Sequence, residues 1–376
     1  MLKVALVYDR VNKWGGAERL LLELHKLYPQ AALYTSVFHE DKALWAKAFP
    51  NVIPSFLNKL PFANSFHELY PWLTQLAFEA FDFSNYDLVI TLTSAEAKSI
   101  ITKPHTLHVC YCLTPTRYLW HDYFSYLKNP GLNFVSGLVK IIFPFFSMTM
   151  RVSDQLSALR PDYYLAISQT VKKRIKKYYH QNSEVIYPGI DTNLYQPRRS
   201  KKSAEEFFLV VSRLVPYKKV DIVIEAFNQL GWKLKIVGSG REEGKLKQFA
   251  KQNIEFIGEL TDKSLISYYQ DCQALIVAGE EDFCLTALEV QSCGKPVIAL
   301  KKGGVIETVT KRTGVFFDKQ DSSSLVKALI RFKKKKFKAT DCRNQAMSFN
   351  QDRFKAEFAK QIEQLWKLWT KKTATE

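Results

Sequence analysis

Short apolar runs rich in Val, Ile and Tyr alternate with segments of helical period from one end of the chain to the other. The pattern predicts strands at 3–9, 31–37, 86–93, 107–112, 163–168 and 184–189. A second series follows at 207–214, 234–240, 254–260, 274–279, 296–300 and 313–318. Between strands, stretches such as "GGAERLLLELHKLY" and "VDIVIEAFNQL" carry the three-and-four spacing of amphipathic helices. Strand and helix in regular turn is the rhythm of parallel sheets covered on both faces, which predicts two doubly wound α/β domains.

A polar, basic stretch broken by Pro197, residues 193–206, separates the two series and reads as a linker. One domain then occupies 1–192 and the other 207–352. At 353–376 the chain spaces Phe354, Phe358, Ile362, Leu365 and Trp369 at three or four, the mark of a terminal amphipathic helix whose apolar face needs a partner. Residues 132–150 are nearly long enough to span a bilayer, but Lys140 and Pro144 interrupt them. They read as an interfacial or core helix rather than a span.

Composition changes this picture in one respect. A hydrophobic content of 47% over 376 residues fills two cores and excludes disorder. The net charge of +17, however, draws the protein towards polyanions or an acidic membrane surface. It is concentrated in "VKKRIKKYY" (171–179) and "FKKKKFK" (332–338), runs that ordinarily form a solvated face. Beside the aromatic-rich 132–150 they also suit a peripheral protein on the cytoplasmic face of an anionic membrane; nucleic acid is not an expected partner. Six cysteines without a C-x-x-C pair or zinc spacing point to reduced thiols, and the first apolar run is too short for a signal peptide. Both favour the cytoplasm.

In open parallel sheets ligands bind beyond the carboxyl ends of the strands. After the first strand, Gly15 and Gly16 remove side chains where backbone N–H groups could approach an anion, although a tight turn explains a glycine pair equally well. After the first strand of the second half, "SRLVPYKK" places Arg213 and Lys218 on one loop, as a diphosphate clamp requires or as solvated side chains do. In "EEDFCLTALEVQSCGKP", Glu281 precedes a predicted helix and Glu289 lies inside it, about 12 Å apart in helical rise. That separation suits hydroxyls at the two ends of a sugar nucleotide; an acidic helix start explains it too.

The ordered set "GGAER", "VIYPGID", "SRLVPYKK", "IVGSG", "FIGEL", "EEDFCLTALEVQSCGKPVIA" and "GGVIETV" resembles glycosyltransferase family 4 over nearly the whole length. The resemblance implies the GT-B architecture, two Rossmann-like domains facing across a cleft, with the terminal helix returning to the first. It implies a retaining, metal-independent hexosyltransferase with no cofactor besides its nucleotide-sugar donor. By the same resemblance Glu281 would meet the donor sugar, Glu289 the ribose, and Arg213 and Lys218 the diphosphate. Gly16 would approach the phosphate, while main chain near Gly238 and Gly258 would read the base. Phe283, Cys284 and Leu285 would line the donor, and Gly303 and Gly304, before Glu307, would wrap the nucleotide. "HVCYCLTPTRYLWHDY" narrows the resemblance to bacterial surface-polysaccharide enzymes, many of them mannosyltransferases. GDP-mannose is therefore favoured over a UDP-sugar, and a lipid-linked or polysaccharide glycan is the expected acceptor, with Gly15, Thr114 and Arg117 on the acceptor side. The chain departs from that pattern at Leu113, where the subgroup carries His, and at Cys284, where it carries Gly. A sugar-nucleotide epimerase on the same architecture and a non-catalytic polyanion-binding protein are the alternatives.

Overall fold

The computed structural model describes residues 2–61, 71–128, 136–198 and 206–373. The chain divides into two compact units, Met1–Tyr187 with Phe354–Glu376, and Pro188–Arg353.

The first unit is built on a parallel sheet of β1 (Val4–Tyr8), β2 (Ala32–Thr35), β3 (Val52–Pro54), β4 (Leu88–Thr93), β5 (Leu107–Cys112), β6 (Tyr163–Ala166) and β7 (Ser183–Val185), in the order β3-β2-β1-β4-β5-β6-β7. Every residue of β4 and β5 is buried, which is why both read as unbroken apolar runs rather than alternating ones. The sequence pattern misses β3, three half-buried residues ending in Pro54 at the sheet edge, where proline is tolerated. Around the sheet lie α1 (Gly16–Leu27), α2 (Pro71–Glu79), α3 (Tyr123–Lys128), α4 (Ser136–Ser157) and α5 (Gln169–Tyr179). Helix α4 runs seven residues beyond the predicted end at 150, with Pro144 inside it; 132–135 lie outside the described residues. No described helix is long and apolar enough to cross a membrane.

The second unit carries β8 (Phe208–Val211), β9 (Leu234–Val237), β10 (Ile254–Gly258), β11 (Leu275–Val277), β12 (Val297–Leu300) and β13 (Gly314–Phe317), in the order β10-β9-β8-β11-β12-β13. Alternate residues feed two cores: Phe208, Ile236, Ile276 and Ile298 pack on one face, Leu209, Val237, Leu275 and Val297 on the other. Helices α6 (Val220–Leu230), α7 (Glu243–Phe249), α8 (Asp262–Asp271), α9 (Leu285–Ser292), α10 (Val305–Thr308), α11 (Ser322–Lys333) and α12 (Ala339–Met347) cover those faces. The last helix, α13 (Gln351–Thr373), buries the five residues of the predicted apolar face, and Phe354 and Phe358 pack against Tyr111 of β5, 6.2 and 5.3 Å between ring centroids.

One expectation needs correcting. The start of the stretch read as a linker belongs to the second unit's core: Tyr195 is buried, and its carbonyl accepts from Ser292 Oγ at 2.6 Å and Arg343 Nη1 at 2.5 Å. A single aromatic anchor in a polar stretch leaves no periodicity to read. Residues 199–205 lie outside the described residues.

Candidate donor site

In the second sheet the strand order reverses between β8 and β11, so the connections leaving these neighbouring strands go to opposite faces and open a crevice at the carboxyl edge. Lys218 stands on the first connection and Glu281 on the second. They meet there: Lys218 Nζ donates to both carboxylate oxygens of Glu281, at 2.6 and 2.7 Å. The approach depends on Gly279, where a Cβ would lie 2.9 Å from the Tyr217 carbonyl oxygen and 3.0 Å from Lys218 Cα. Both side chains of the pair keep 17% of their surface open. Burial alone would lower the Lys218 pKa, but Glu281 and Tyr217 outweigh it and raise the value, keeping the ammonium charged. Tyr217 organises both cations of this loop: its hydroxyl accepts from Arg213 Nη2 at 2.7 Å, and its ring centroid lies 5.2 Å from Lys218 Nζ.

Beyond Glu281 the chain enters α9 at Leu285. Phe283 is buried against Phe349, ring centroids 5.8 Å apart, and anchors the loop. Cys284 precedes the helix at φ 77°, in the left-handed region that favours glycine. Its thiol is pushed up to about 12 by burial and by Glu281, so it is a poor nucleophile. Glu289, inside α9, is 1% exposed and accepts from the Tyr269 hydroxyl at 2.7 Å. On the far side, Gly303 bridges to Glu281 at φ 75°; a Cβ there would fall 2.3 Å from the Glu281 carbonyl oxygen, and Gly304 N donates to that same oxygen at 2.7 Å. Glu307 follows in the first turn of α10. Gly238 follows β9 and donates its N–H to the Gly258 carbonyl at 2.8 Å, while Leu214 N donates to Ser239 O at 2.7 Å, tying the β8, β9 and β10 connections together.

The region holding this crevice, residues 191–349, matches the family model described as "Glycosyl transferases group 1". This part of the chain is a group 1 glycosyltransferase domain. Among relatives, an uncharacterized glycosyltransferase of Methanocaldococcus jannaschii is 27% identical over 45% of this chain and 49% of its own. The GDP-mannose-dependent monoacylated alpha-(1-6)-phosphatidylinositol monomannoside mannosyltransferase of Corynebacterium glutamicum is 32% identical over 44% and 51%. The chain thus spans about half the length of the curated relatives it matches. Among solved structures, Anabaena Alr3699/HepE in complex with UDP-glucose superposes over 97% of this chain and 100% of its own, with a TM-score of 0.70 at 21% identity, a likeness of fold.

Within the group 1 domain the structure gathers Arg213, Lys218, Glu281 and Gly303 at one strand edge. Glu289 is placed differently, under the surface of α9. Sequence reasoning passed over Tyr217, Tyr269 and Gly279. Tyr217 stands inside the quoted "SRLVPYKK" and was legible as an aromatic between two cations; Tyr269 comes from α8 and only folding brings it to Glu289.

Gly15, Gly16, Thr114 and Arg117 belong to the first unit. Gly15 and Gly16 open α1, and the Glu18 carboxylate folds back over them, 3.1 Å from where a Gly15 Cβ would stand, with Oε1 accepting from the Tyr8 hydroxyl at 2.6 Å. Thr114 is buried and accepts from Arg174 Nη1 at 3.3 Å, and Arg117 pairs with Asp122 at 2.8 Å. Sequence reading missed a second polar cluster here. Arg10, after β1, pairs with Glu96, after β4, at 2.6 Å, and the Tyr118 hydroxyl donates to Glu96 at 2.9 Å. Glu96 and Tyr118 line a cavity of about 260 Å³ with the Lys98–Asp154 ion pair.

Proposed function

We propose that this protein is a retaining hexosyltransferase that takes a nucleotide sugar, GDP-mannose in preference to a UDP-sugar, and transfers its hexose to a lipid-linked or polysaccharide glycan in cell-surface glycan synthesis, at the cytoplasmic membrane face. The observation that carries the reading is the Lys218–Glu281 pair across the β8/β11 reversal, inside the group 1 domain. A sugar diphosphate offers anionic oxygens beside hydroxyl donors, so it replaces each half of this pair with the partner of opposite polarity. Lys218 turns from Glu281 to the diphosphate, and Glu281 accepts from sugar hydroxyls. The mannose preference draws its support from the named donor of the Corynebacterium relative.

In the reaction the C1–O bond to the diphosphate breaks and that oxygen takes the electron pair, where Arg213 and Lys218 stabilise the growing charge. The acceptor hydroxyl attacks C1 from the face the diphosphate leaves, and its proton passes to a phosphate oxygen. Because fixed cations neutralise the diphosphate, turnover persists in excess EDTA. The test is a screen of nucleotide sugars for donor consumption with and without EDTA. Consumption of a GDP-hexose that EDTA leaves unaltered supports the reading; abolition by EDTA with rescue by magnesium or manganese removes the role given to Arg213 and Lys218. No consumption of any nucleotide sugar removes the reading itself.

A further inference from the structure

Helix α4 is built inside out. Phe145, Met148, Val152 and Leu156 recur at three or four and are 74, 63, 55 and 58% exposed, and Leu159, just past the helix end, continues the row at 64%. At about 100° per residue these positions share one face. The opposite face is buried and carries Ser147, Asp154 and Ser157. A helix of a water-facing surface has the reverse distribution, so this apolar row is built for a partner.

We propose that the exposed row of α4 docks the protein on the surface of an anionic lipid bilayer, lying in the interface without crossing it. The inference gives the membrane-facing part of the proposed function its surface and rests on that reading. Charge selects the occupant. A second copy would bring +17 against +17, whereas anionic lipid attracts it. Asp154, the single acid of α4, faces inward and is engaged by Lys98, Thr116 and Trp120. The basic helix α5 adjoins through one side chain: Trp120 donates to Asp154 at 2.7 Å and stacks on Tyr178, centroids 5.3 Å apart. Lys173, Lys176 and Lys177 of α5 are exposed; Lys172 is half-buried and lies 3.8 Å from Glu184. The exposed apolar row and the protein's positive charge supply the two signals that reversible membrane attachment needs.

The test is co-sedimentation with phosphatidylglycerol–phosphatidylcholine vesicles, and with phosphatidylcholine alone. Binding should require the anionic lipid and weaken as salt rises. Val152→Glu with Leu156→Glu should weaken it at least about tenfold, since two apolar side chains lose their burial. Both positions are exposed, so urea denaturation should show the fold intact, and GDP titration of the same variant should match the parent. Vesicle binding that this variant leaves unchanged overturns the proposal. A dimer seen by sedimentation equilibrium and broken by the variant, with no vesicle binding, also overturns it and assigns the row to a second copy. Row-dependent vesicle binding in a protein that takes up no nucleotide sugar would uphold the surface while the transferase reading fell.

Discussion

The two units each hold a lysine against a carboxylate, and the two pairs are built for different ends. In the first, Lys98 Nζ is 2.5 Å from Asp154 Oδ1 and also donates to the Ala95 carbonyl at 2.6 Å, while Thr116 and Trp120 donate to Asp154. Both side chains are nearly closed to solvent, 2% and 5% exposed, and the pair joins the loop after β4 to α4. In the second, Lys218 and Glu281 each stay 17% open and sit on two loops at a strand-order reversal. The first pair is engaged by other groups of the fold on both its members. The second holds a cation and an anion together where a ligand carrying both polarities can take them apart. Burial and satisfaction, rather than the presence of an ion pair, separate a stitch from a site.

The largest effect that tests this contrast is on stability. Asp154→Ala leaves a buried ammonium unpaired and should cost about 3–5 kcal/mol in urea denaturation, with the nucleotide affinity of the folded protein unchanged. Replacing both members, Lys98→Met with Asp154→Leu, should recover most of that loss. Lys218→Ala should do the opposite. The freed Glu281 carboxylate can still reach water through the crevice, so stability should fall less than with Asp154→Ala, but losing a cation from the departing diphosphate should lower turnover on the order of a hundredfold or more. Equal losses of stability in the two variants, with turnover intact in the second, would erase the distinction.

A third effect belongs to the first unit alone. His108 of β5 is fully buried, its Nε2 3.1 Å from Thr91 Oγ1, and burial together with Arg160 lowers its pKa from 6.5 to about 3. Below 6.5 the unfolded chain takes up a proton that the folded chain refuses. His108 therefore supports the fold fully above that value and withdraws up to about 1.4 kcal/mol per pH unit as pH falls towards 3. His108→Gln should flatten the acid limb of the stability profile over this window; an unaltered slope would show that the ring titrates normally. The smallest effect is at Cys284. Glycine adopts its φ of 77° without strain, so Cys284→Gly should gain about 1 kcal/mol at most.

Much of this was open to reading in the chain itself, because burial on both faces writes β4, β5 and the strands of the second sheet as continuous apolar runs. The five apolar positions of α13 followed from periodicity, and the acidic stretch before α9 placed Glu281 ahead of a helix and Glu289 inside it. What could not be read has a physical reason in each case. β3 is three residues at an edge and leaves no period. Tyr195 with its neighbour Leu194 anchors an otherwise polar stretch, too few positions to show a period, and the Lys98–Asp154 partners lie 56 residues apart, so only the fold joins them. The spacing of Glu281 and Glu289 was visible. That one opens in part on a crevice with Lys218 while the other is buried on α9 against Tyr269 was not, since both partners come from other elements.

The central claim is the proposal that Glu281 and Lys218 part to admit a sugar diphosphate. Calorimetric titration of GDP and GDP-mannose into the parent, Glu281→Gln and Glu289→Gln tests it most directly. Glu289→Gln, at a carboxylate buried against the Tyr269 hydroxyl, tests the ribose role that the resemblance implies: that role predicts a loss of about 1–3 kcal/mol for both ligands, since both carry the ribose. Glu281→Gln should cost GDP-mannose a similar amount and leave GDP at least as tightly bound, because Lys218 no longer has to leave a carboxylate. If both substitutions leave both affinities unchanged, the paired carboxylates are only an acidic helix start and the account is contradicted.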